Sequence, residues 1–171
     1  ITLIIKNNVW KYWKDKDIDP YVVPRPGHAD LVGTAKYDAK DIRLILERSS
    51  ARETAMRCAI GAIAAQILEN FDIHICGYVS GIGSLEYFYK GTDGIKNLQN
   101  KVTESSVSCP DDKISKEMEN EIKLARKKKD TLGGSITTIA TGVPPTLGSF
   151  VHWDRKLDAN MARIFMSIQS V

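Results

Sequence analysis

The chain has 171 residues, of which 43% are hydrophobic, and its formal net charge is +3. That length suffices for one well-buried core, and no stretch has the composition of a linker, so we predict a single domain over residues 1–171. The apolar runs are far shorter than the roughly 18 residues of a membrane span, and no segment is ordered like a signal peptide, so the sequence predicts a cytoplasmic protein without a membrane partner.

The first segment, "ITLIIKNN", is rich in β-branched residues and predicts a buried strand. Prolines and tryptophans over residues 9–30 predict an irregular loop. Because the chain opens without Met and stops at "MSIQSV", we expect an excerpt of a longer polypeptide.

Two helices are predicted next. Asp38 to Glu47 has Ile42, Ile45 and Leu46 on one face. Ser50 and Glu53 then form the S-x-x-E pattern of a capping box, which begins a second helix. Its apolar residues recur at helical spacing, and its alanines and Gly61 make it slim, so we expect burial on more than one side. These apolar residues are Met56, Ala59, Ile60, Ile63 and Ile67.

The second half predicts a strand at "IHICGYVSGIG", a helix over Asp111 to Lys129, a strand at "GGSITTIATGVPP" and an amphipathic helix at "RKLDANMARIFMSI". Gly81-Ile82-Gly83 lacks the third glycine and the helix of a dinucleotide loop. The basic run Arg126 to Lys129 fits a solvated helix end that opposes the helix dipole, and a nucleic-acid patch is the alternative.

The three cysteines are odd in number and widely spaced, without a CxxC pair. This pattern predicts buried thiols, and it favours neither a disulfide framework nor a metal site. The residues are Cys58, Cys76 and Cys109.

Arg48 and Arg52 flank Ser49 and Ser50 at the predicted helix start in "ERSSARETAMR". A helix start offers free amide donors, and two guanidiniums and two hydroxyls would add further donors, so this segment is a candidate phosphate or carboxylate site. In the alternative, the arginines pair with nearby glutamates on the surface.

His28 lies in the turn "RPGHAD", three residues after Arg25. If the proline-rich loop folds over the helix start, cationic neighbours would favour a neutral imidazole that can exchange protons at working pH. In the alternative, His28 is only a polar loop residue.

Several segments, in this order along the chain, resemble the chorismate synthase family: "RPGHAD", "RSSARETAMR", "CPD", and "GVPP" with "VHWDRKLDA" and "MSIQ". The resemblance covers almost the whole chain. It implies an α+β fold, a β-α-β sandwich with helices packed between sheets, of which this chain forms the central part.

The resemblance also implies a function. Family members convert 5-enolpyruvylshikimate 3-phosphate to chorismate and phosphate by a 1,4-anti elimination. They require reduced FMN, with NADPH as a possible flavin reductant, and are usually homotetramers. The implied partner is a small phosphorylated substrate, and no nucleic acid.

The resemblance assigns roles to individual residues. His28 matches a catalytic histidine near the reduced flavin. The substrate-binding positions are Arg25 and Arg52, and the cofactor-binding positions are Arg48, Ser49 and Ser50.

This sequence also departs from the family pattern. The family's N-terminal "GxSHG" histidine and its C-terminal aspartate are not in the chain, so we expect these 171 residues alone to be inactive. A non-catalytic module that binds flavin or phosphate is the alternative. Thr146 stands where the family has Gly, which leaves the conformation of that turn open.

Overall fold

The computed structural model describes residues 2–92 and 94–171, and its fold is α+β. The helices are α1 (Asp30–Tyr37), α2 (Arg43–Ser49), α3 (Glu53–Glu69), α4 (Ile95–Glu104), α5 (Asp112–Lys128) and α6 (Leu157–Phe165), and the strands are β1 (His74–Ile82), β2 (Leu85–Glu86) and β3 (Gly134–Thr141). Short 3-10 turns cover Trp10–Tyr12 and Trp153–Arg155. No helix among the described residues combines the length and apolar character that crossing a bilayer requires.

The chain divides into two compact units. The first comprises Ile1–Ala64 and Leu147–Val171, and the second comprises Ala65–Thr146. The single domain that we expect from composition stays a prediction.

The second unit is built on an antiparallel sheet with the order β2-β1-β3. β1 pairs with β3 from His74 opposite Thr141 to Ile82 opposite Gly134, with a bulge between Val79 and Gly81. Both long strands match the sequence predictions. Gly83 lies at the turn from β1 into the short β2, where a dinucleotide loop would have continued into a helix.

Alternating residues of β1 supply the core of this unit. Cys76 and Tyr78 are buried with Leu98 of α4, and the ring of Tyr78 meets those of Tyr87 and Tyr89 edge-on at 5.7 and 6.5 Å. One face of the sheet is therefore covered, as is common in antiparallel sheets. Residues 95–104 carried no helix prediction, so α4 is an element that the sequence analysis missed.

The predicted helix α5 is confirmed. Asp111 caps it by accepting a hydrogen bond from the backbone N of Ile114 at 2.9 Å, and Met118 on its apolar stripe is fully buried. At its other end Lys129 adopts the left-handed conformation, and its backbone N–H donates to the carbonyls of Ala125 and Arg126. The basic run is exposed, as a solvated helix end would be.

In the first unit, α1 packs against α2. A Cβ on Gly33 of α1 would overlap the side chain of Ile45, so this glycine permits the close approach of the two helices. Ile42 and Ile45 are buried, as their predicted shared face requires, although α2 begins at Arg43 and not at Asp38. Helix α1 itself was not predicted.

Several sequence predictions are wrong for the described residues. The "ITLIIKNN" segment forms no strand over residues 2–8, because no other strand pairs with it there, and Ile4 is 77% exposed. Helix α3 has no buried residue, and Ile60 and Ile67 are mostly exposed, so its two-sided burial is not observed. Cys58 on α3 is exposed, whereas Cys76 and Cys109 are buried as expected.

The predicted capping box is not formed, because the backbone N of Glu53 donates to the carbonyl of Ser50 and not to its Oγ. Ser50 Oγ accepts from the backbone N of Arg52 at 3.3 Å. The carboxylate of Glu53 does not return to Ser50, because it instead accepts from Arg57 at 3.2 Å and from Gln169 at 2.7 Å.

Thr146 lies outside the left-handed region, so a threonine fits this turn without backbone strain.

Candidate functional site

Arg25 and Asp30 close the "RPGHAD" turn with three hydrogen bonds. Asp30 Oδ2 accepts from the backbone N of Arg25 at 3.0 Å and from its Nε at 2.9 Å, and Asp30 Oδ1 accepts from Arg25 Nη2 at 3.1 Å. The side chain of Asp30 is 0% exposed, and that of Arg25 is 38% exposed. Between them Gly27 has φ +71°, a left-handed conformation that glycine adopts without a Cβ clash.

This contact fixes the charges of both groups. Hydrogen bonds from the side chain and backbone of Arg25 lower the pKa of Asp30 to about 2, against the opposing effect of burial, and the charge of His28 adds a smaller contribution. The same contact raises the pKa of Arg25. Asp30 is therefore a carboxylate, and Arg25 a cation, over the whole physiological range of pH.

His28 projects from this turn and is exposed. Its Nδ1 lies 3.0 Å from the carbonyl oxygen of Pro26. Because a carbonyl only accepts, this contact assigns the proton to Nδ1, and a neutral imidazole then keeps an acceptor lone pair on Nε2. The turn thus holds one ring nitrogen and leaves the other for a ligand.

An open groove of about 830 Å³ runs between α1 and α2. Its apolar lining includes Val32, Tyr37, Leu44 and Ile45. Arg48 and Ser49 also line it, and so does Ala29, the neighbour of His28 in the chain. The "RPGHAD" turn and the Arg48 segment therefore adjoin one groove.

Arg48 and Lys40 are exposed cations that line this groove, and the side chain of Arg48 makes no hydrogen bond or ion pair with any described residue. Arg52, in contrast, donates from Nη1 to Glu47 Oε2 at 3.0 Å across an exposed pair. The surface-pairing alternative therefore holds for Arg52 and not for Arg48.

The serines lie at a junction between helices. Ser49 is the last residue of α2, where its Oγ donates to the carbonyl of Ile45 at 2.9 Å. At the start of α3, the backbone N–H groups of Arg52, Glu53, Thr54 and Ala55 each find an acceptor between Ser50 and Arg52. The expected free amides are thus mostly occupied, so an anion at this junction depends on Arg48 more than on the helix start.

A second aspartate–arginine pair lies at the start of α2. Asp41 accepts from Arg43 Nε at 2.8 Å and from the backbone N of Tyr21 at 3.2 Å, and Arg43 Nη2 reaches the carbonyl of Ile18 at 3.2 Å. Hydrogen bonds from Arg43 lower the pKa of Asp41 to about 2. This pair fastens residues 18–21 of the proline-rich loop to the start of α2.

The structure therefore brings only part of the predicted constellation together. Among the described residues, no hydrogen bond or ion pair joins the side chains of Arg25 or His28 to those of Arg48 or Arg52. Asp30, which holds the turn, was not predicted as a site residue from the sequence. Its signal was an acidic residue five positions after an arginine, across a Pro-Gly turn.

The comparisons with known proteins decide the family. A sequence model of the family described as chorismate synthase matches residues 1–171. The chain belongs to the chorismate synthase family. A chorismate synthase of Enterococcus faecalis is 42% identical over 181 residues, covering 99% of this chain and 47% of that protein. One of Desulforamulus reducens is 45% identical over 180 residues, covering 100% of this chain and 46% of that protein.

A solved structure described as a crystal structure of chorismate synthase has a TM-score of 0.75 and 37% sequence identity. The match covers 82% of this chain and 44% of that chain. It confirms the α+β fold of the chorismate synthase type, of which the described residues contain one sheet. The chain spans about half the length of the curated relatives that it matches.

Proposed function

We propose that this chain forms part of a carbon–oxygen lyase that converts 5-enolpyruvylshikimate 3-phosphate to chorismate and phosphate. In this 1,4-anti elimination, the C–O bond to phosphate breaks and a ring hydrogen leaves as a proton. The observation that carries the proposal is the family match over every residue of the chain. Because the chain spans only part of its relatives, the activity belongs to the longer protein.

The groove between α1 and α2 suits a flavin in size and chemistry. Its volume of about 830 Å³ lies within the range of small-molecule sites, roughly 300–1,000 Å³, and its apolar lining suits an aromatic ring system. Arg48 supplies an unpaired guanidinium for an anionic group, Ser49 lines the same groove, and Ser50 follows it in the chain. These are the residues that would hold reduced FMN.

Three further side chains would act on the substrate and the proton. Arg25 engages Asp30 through Nε and Nη2, so its Nη1 can donate to a substrate anion. Arg52 can exchange its exposed glutamate for a substrate anion at little cost. His28, with Nδ1 bonded to Pro26, would hold or move a proton at Nε2.

Reduced FMN, when bound, would supply the electronic chemistry that side chains lack. The protein groups would bind and orient the anionic substrate, and their fixed charges would stabilise the departing phosphate. The proposal includes NADPH as a possible reductant of the flavin, and a homotetramer that works in the cytoplasm. Family membership is the support for these features.

The test is an anaerobic assay of the full-length protein with reduced FMN and 5-enolpyruvylshikimate 3-phosphate. Phosphate release and chorismate absorbance are followed together, and both should rise with equal stoichiometry. A parallel reaction with oxidised FMN is the control and should give no product.

One outcome separates the proposal from the non-catalytic module. A folded, full-length protein that binds FMN and releases no phosphate from the substrate would support the module and overturn the enzyme. We also expect the 171 residues alone to show no turnover and weak flavin binding, since they span about half of their relatives.

A further inference from the structure

We propose that Asp30 is a positioning residue, which sets the orientation of His28 and Arg25 for the reaction. This role rests on the proposed function, because it concerns the same site. Asp30 itself is fully buried and its carboxylate is occupied by Arg25, so it would act through its neighbours and not by direct contact with substrate or flavin. It acts through the two residues that its turn presents.

The contact between Asp30 and Arg25 uses both ends of the turn. One carboxylate oxygen binds the backbone N of Arg25 and so fixes the main chain where the turn begins. Both oxygens bind the guanidinium, so they also fix the direction of the side chain. A paired, buried carboxylate with three donors has little freedom to reorient.

His28 depends on this turn through Pro26. Its Nδ1 contacts the carbonyl of Pro26, the residue directly after Arg25. The orientation of that carbonyl follows the main chain that Asp30 holds at Arg25. Removing the carboxylate would therefore release the acceptor that orients the imidazole, and a displacement of about 1 Å at a reacting group can lower a rate up to about 100-fold.

Aspartate fits the three hydrogen bonds to Arg25 better than asparagine or glutamate would. Asparagine has the same shape, but its NH2 group would face an N–H donor of Arg25, so it cannot satisfy all three hydrogen bonds. Glutamate keeps the charge and is one methylene longer, so it can keep the ion pair while displacing the main-chain contact. Asp30→Glu should therefore restore part of what Asp30→Asn loses.

The experiment is a double-mutant cycle in the full-length enzyme, with kcat and the substrate KM measured under anaerobic conditions. We expect Asp30→Asn to lower kcat about tenfold or more, and His28→Ala to lower it about 100-fold or more. Because Asp30 acts through His28, the double variant should have a kcat within about twofold of His28→Ala alone. Because Asp30→Asn also displaces Arg25, it should raise the substrate KM. This increase should appear both with His28 present and in the His28→Ala background.

Asp41→Asn is the matched control. Asp41 also pairs with an arginine and also binds a backbone N–H, but it holds Tyr21 and Arg43 and not the "RPGHAD" turn. Its substitution should leave kcat within about twofold, and its effect should be independent of His28→Ala.

The outcomes are distinguishable. Wild-type enzyme without product overturns the proposed function and this role with it. Active wild type, together with an Asp30→Asn kcat within twofold of it, overturns the role alone, and so does a double variant whose loss is the product of the single losses. If circular dichroism shows that Asp30→Asn does not fold, Asp30→Glu takes its place in the cycle under the same criteria.

Discussion

Arg25 and Arg48 illustrate two ways of presenting a guanidinium in one unit of the molecule. Arg25 is held by the buried carboxylate of Asp30 through three hydrogen bonds. Arg48 lines the groove between α1 and α2 without a partner among the described residues. The Arg25 side chain is held in one orientation, whereas the Arg48 side chain can reorient when a ligand binds.

The two arginines should therefore contribute to different quantities, one to the orientation of the reacting groups and the other to the affinity for an anionic ligand. An arginine whose charge is already paired contributes less net charge to an incoming anion, but its direction is fixed. An unpaired arginine offers its full charge, and binding must order its side chain, at a cost of about 0.5–1.5 kcal/mol. We therefore expect the Arg25 turn to control rate and Arg48 to control affinity.

The largest expected effect on binding is that of Arg48→Gln. A hydrogen bond to a charged group is worth about 1.5–3 kcal/mol, so the affinity for reduced FMN should fall about 10- to 100-fold. Stability should change by less than about 0.5 kcal/mol, since no described residue loses a partner. Anaerobic titration of the full-length protein with reduced FMN measures the first, and urea denaturation measures the second.

Lys36→Gln is the control for that substitution. Lys36 is an exposed cation on α1 that does not line the groove. Equal losses of flavin affinity in the two variants would mean that net charge, and not the position of Arg48, attracts the ligand.

The Asp30 turn should also have a signature at low pH. Because the pKa of Asp30 is lowered to about 2 in the folded protein, against 3.8 ordinarily, its stabilising effect is complete above the ordinary value and is lost as the pH falls toward 2. Asp41 has the same shift from its own arginine. The melting temperature should fall between pH 5 and pH 2, less steeply in Asp30→Asn or Asp41→Asn, and least in the double variant. A wild-type slope retained by Asp30→Asn would contradict the ion pair.

Much of the fold follows from local sequence signals. The strands at "HICGYVSGI" and "GSITTIAT" and the helix after Asp111 were predictable from the local spacing of their apolar residues. Helix α4 was missed although Ile95, Leu98 and Val102 recur at helical spacing and pack on the core beside Tyr78. That spacing was a usable signal for the helix, whereas the face of the sheet on which it packs is set by tertiary structure.

The candidate site shows a similar limit. The arginines and His28 could be selected from the sequence and the family resemblance, but their individual states could not. From their spacing, Arg48 and Arg52 had the same two predicted environments, an anion site or a surface ion pair. In the structure only Arg52 forms an ion pair with Glu47. The anchoring of Arg25 by Asp30 depends on a left-handed Gly27 that reverses the chain between them.

Gly27→Ala tests that reversal directly. With φ at +71°, an alanine there carries the cost of the left-handed region, about 1–2 kcal/mol, although open space surrounds its Cβ. Urea denaturation of the full-length protein should show this loss. Thr146→Gly is the counterpart, since Thr146 is not left-handed and a glycine there should give no gain in stability. A neutral Gly27→Ala would mean that the turn is not strained.

The smallest effect is expected at Arg52. Its pair with Glu47 is exposed on both sides, at 69% and 65%, and such pairs contribute about 0–1 kcal/mol because water screens them and both side chains lose freedom. Arg52→Gln and Glu47→Gln should each change the free energy of unfolding by about 0.5 kcal/mol or less, measured by urea denaturation. If either variant cost well over 1 kcal/mol, Arg52 would be anchored like Arg25, and it could not exchange its glutamate for a substrate anion.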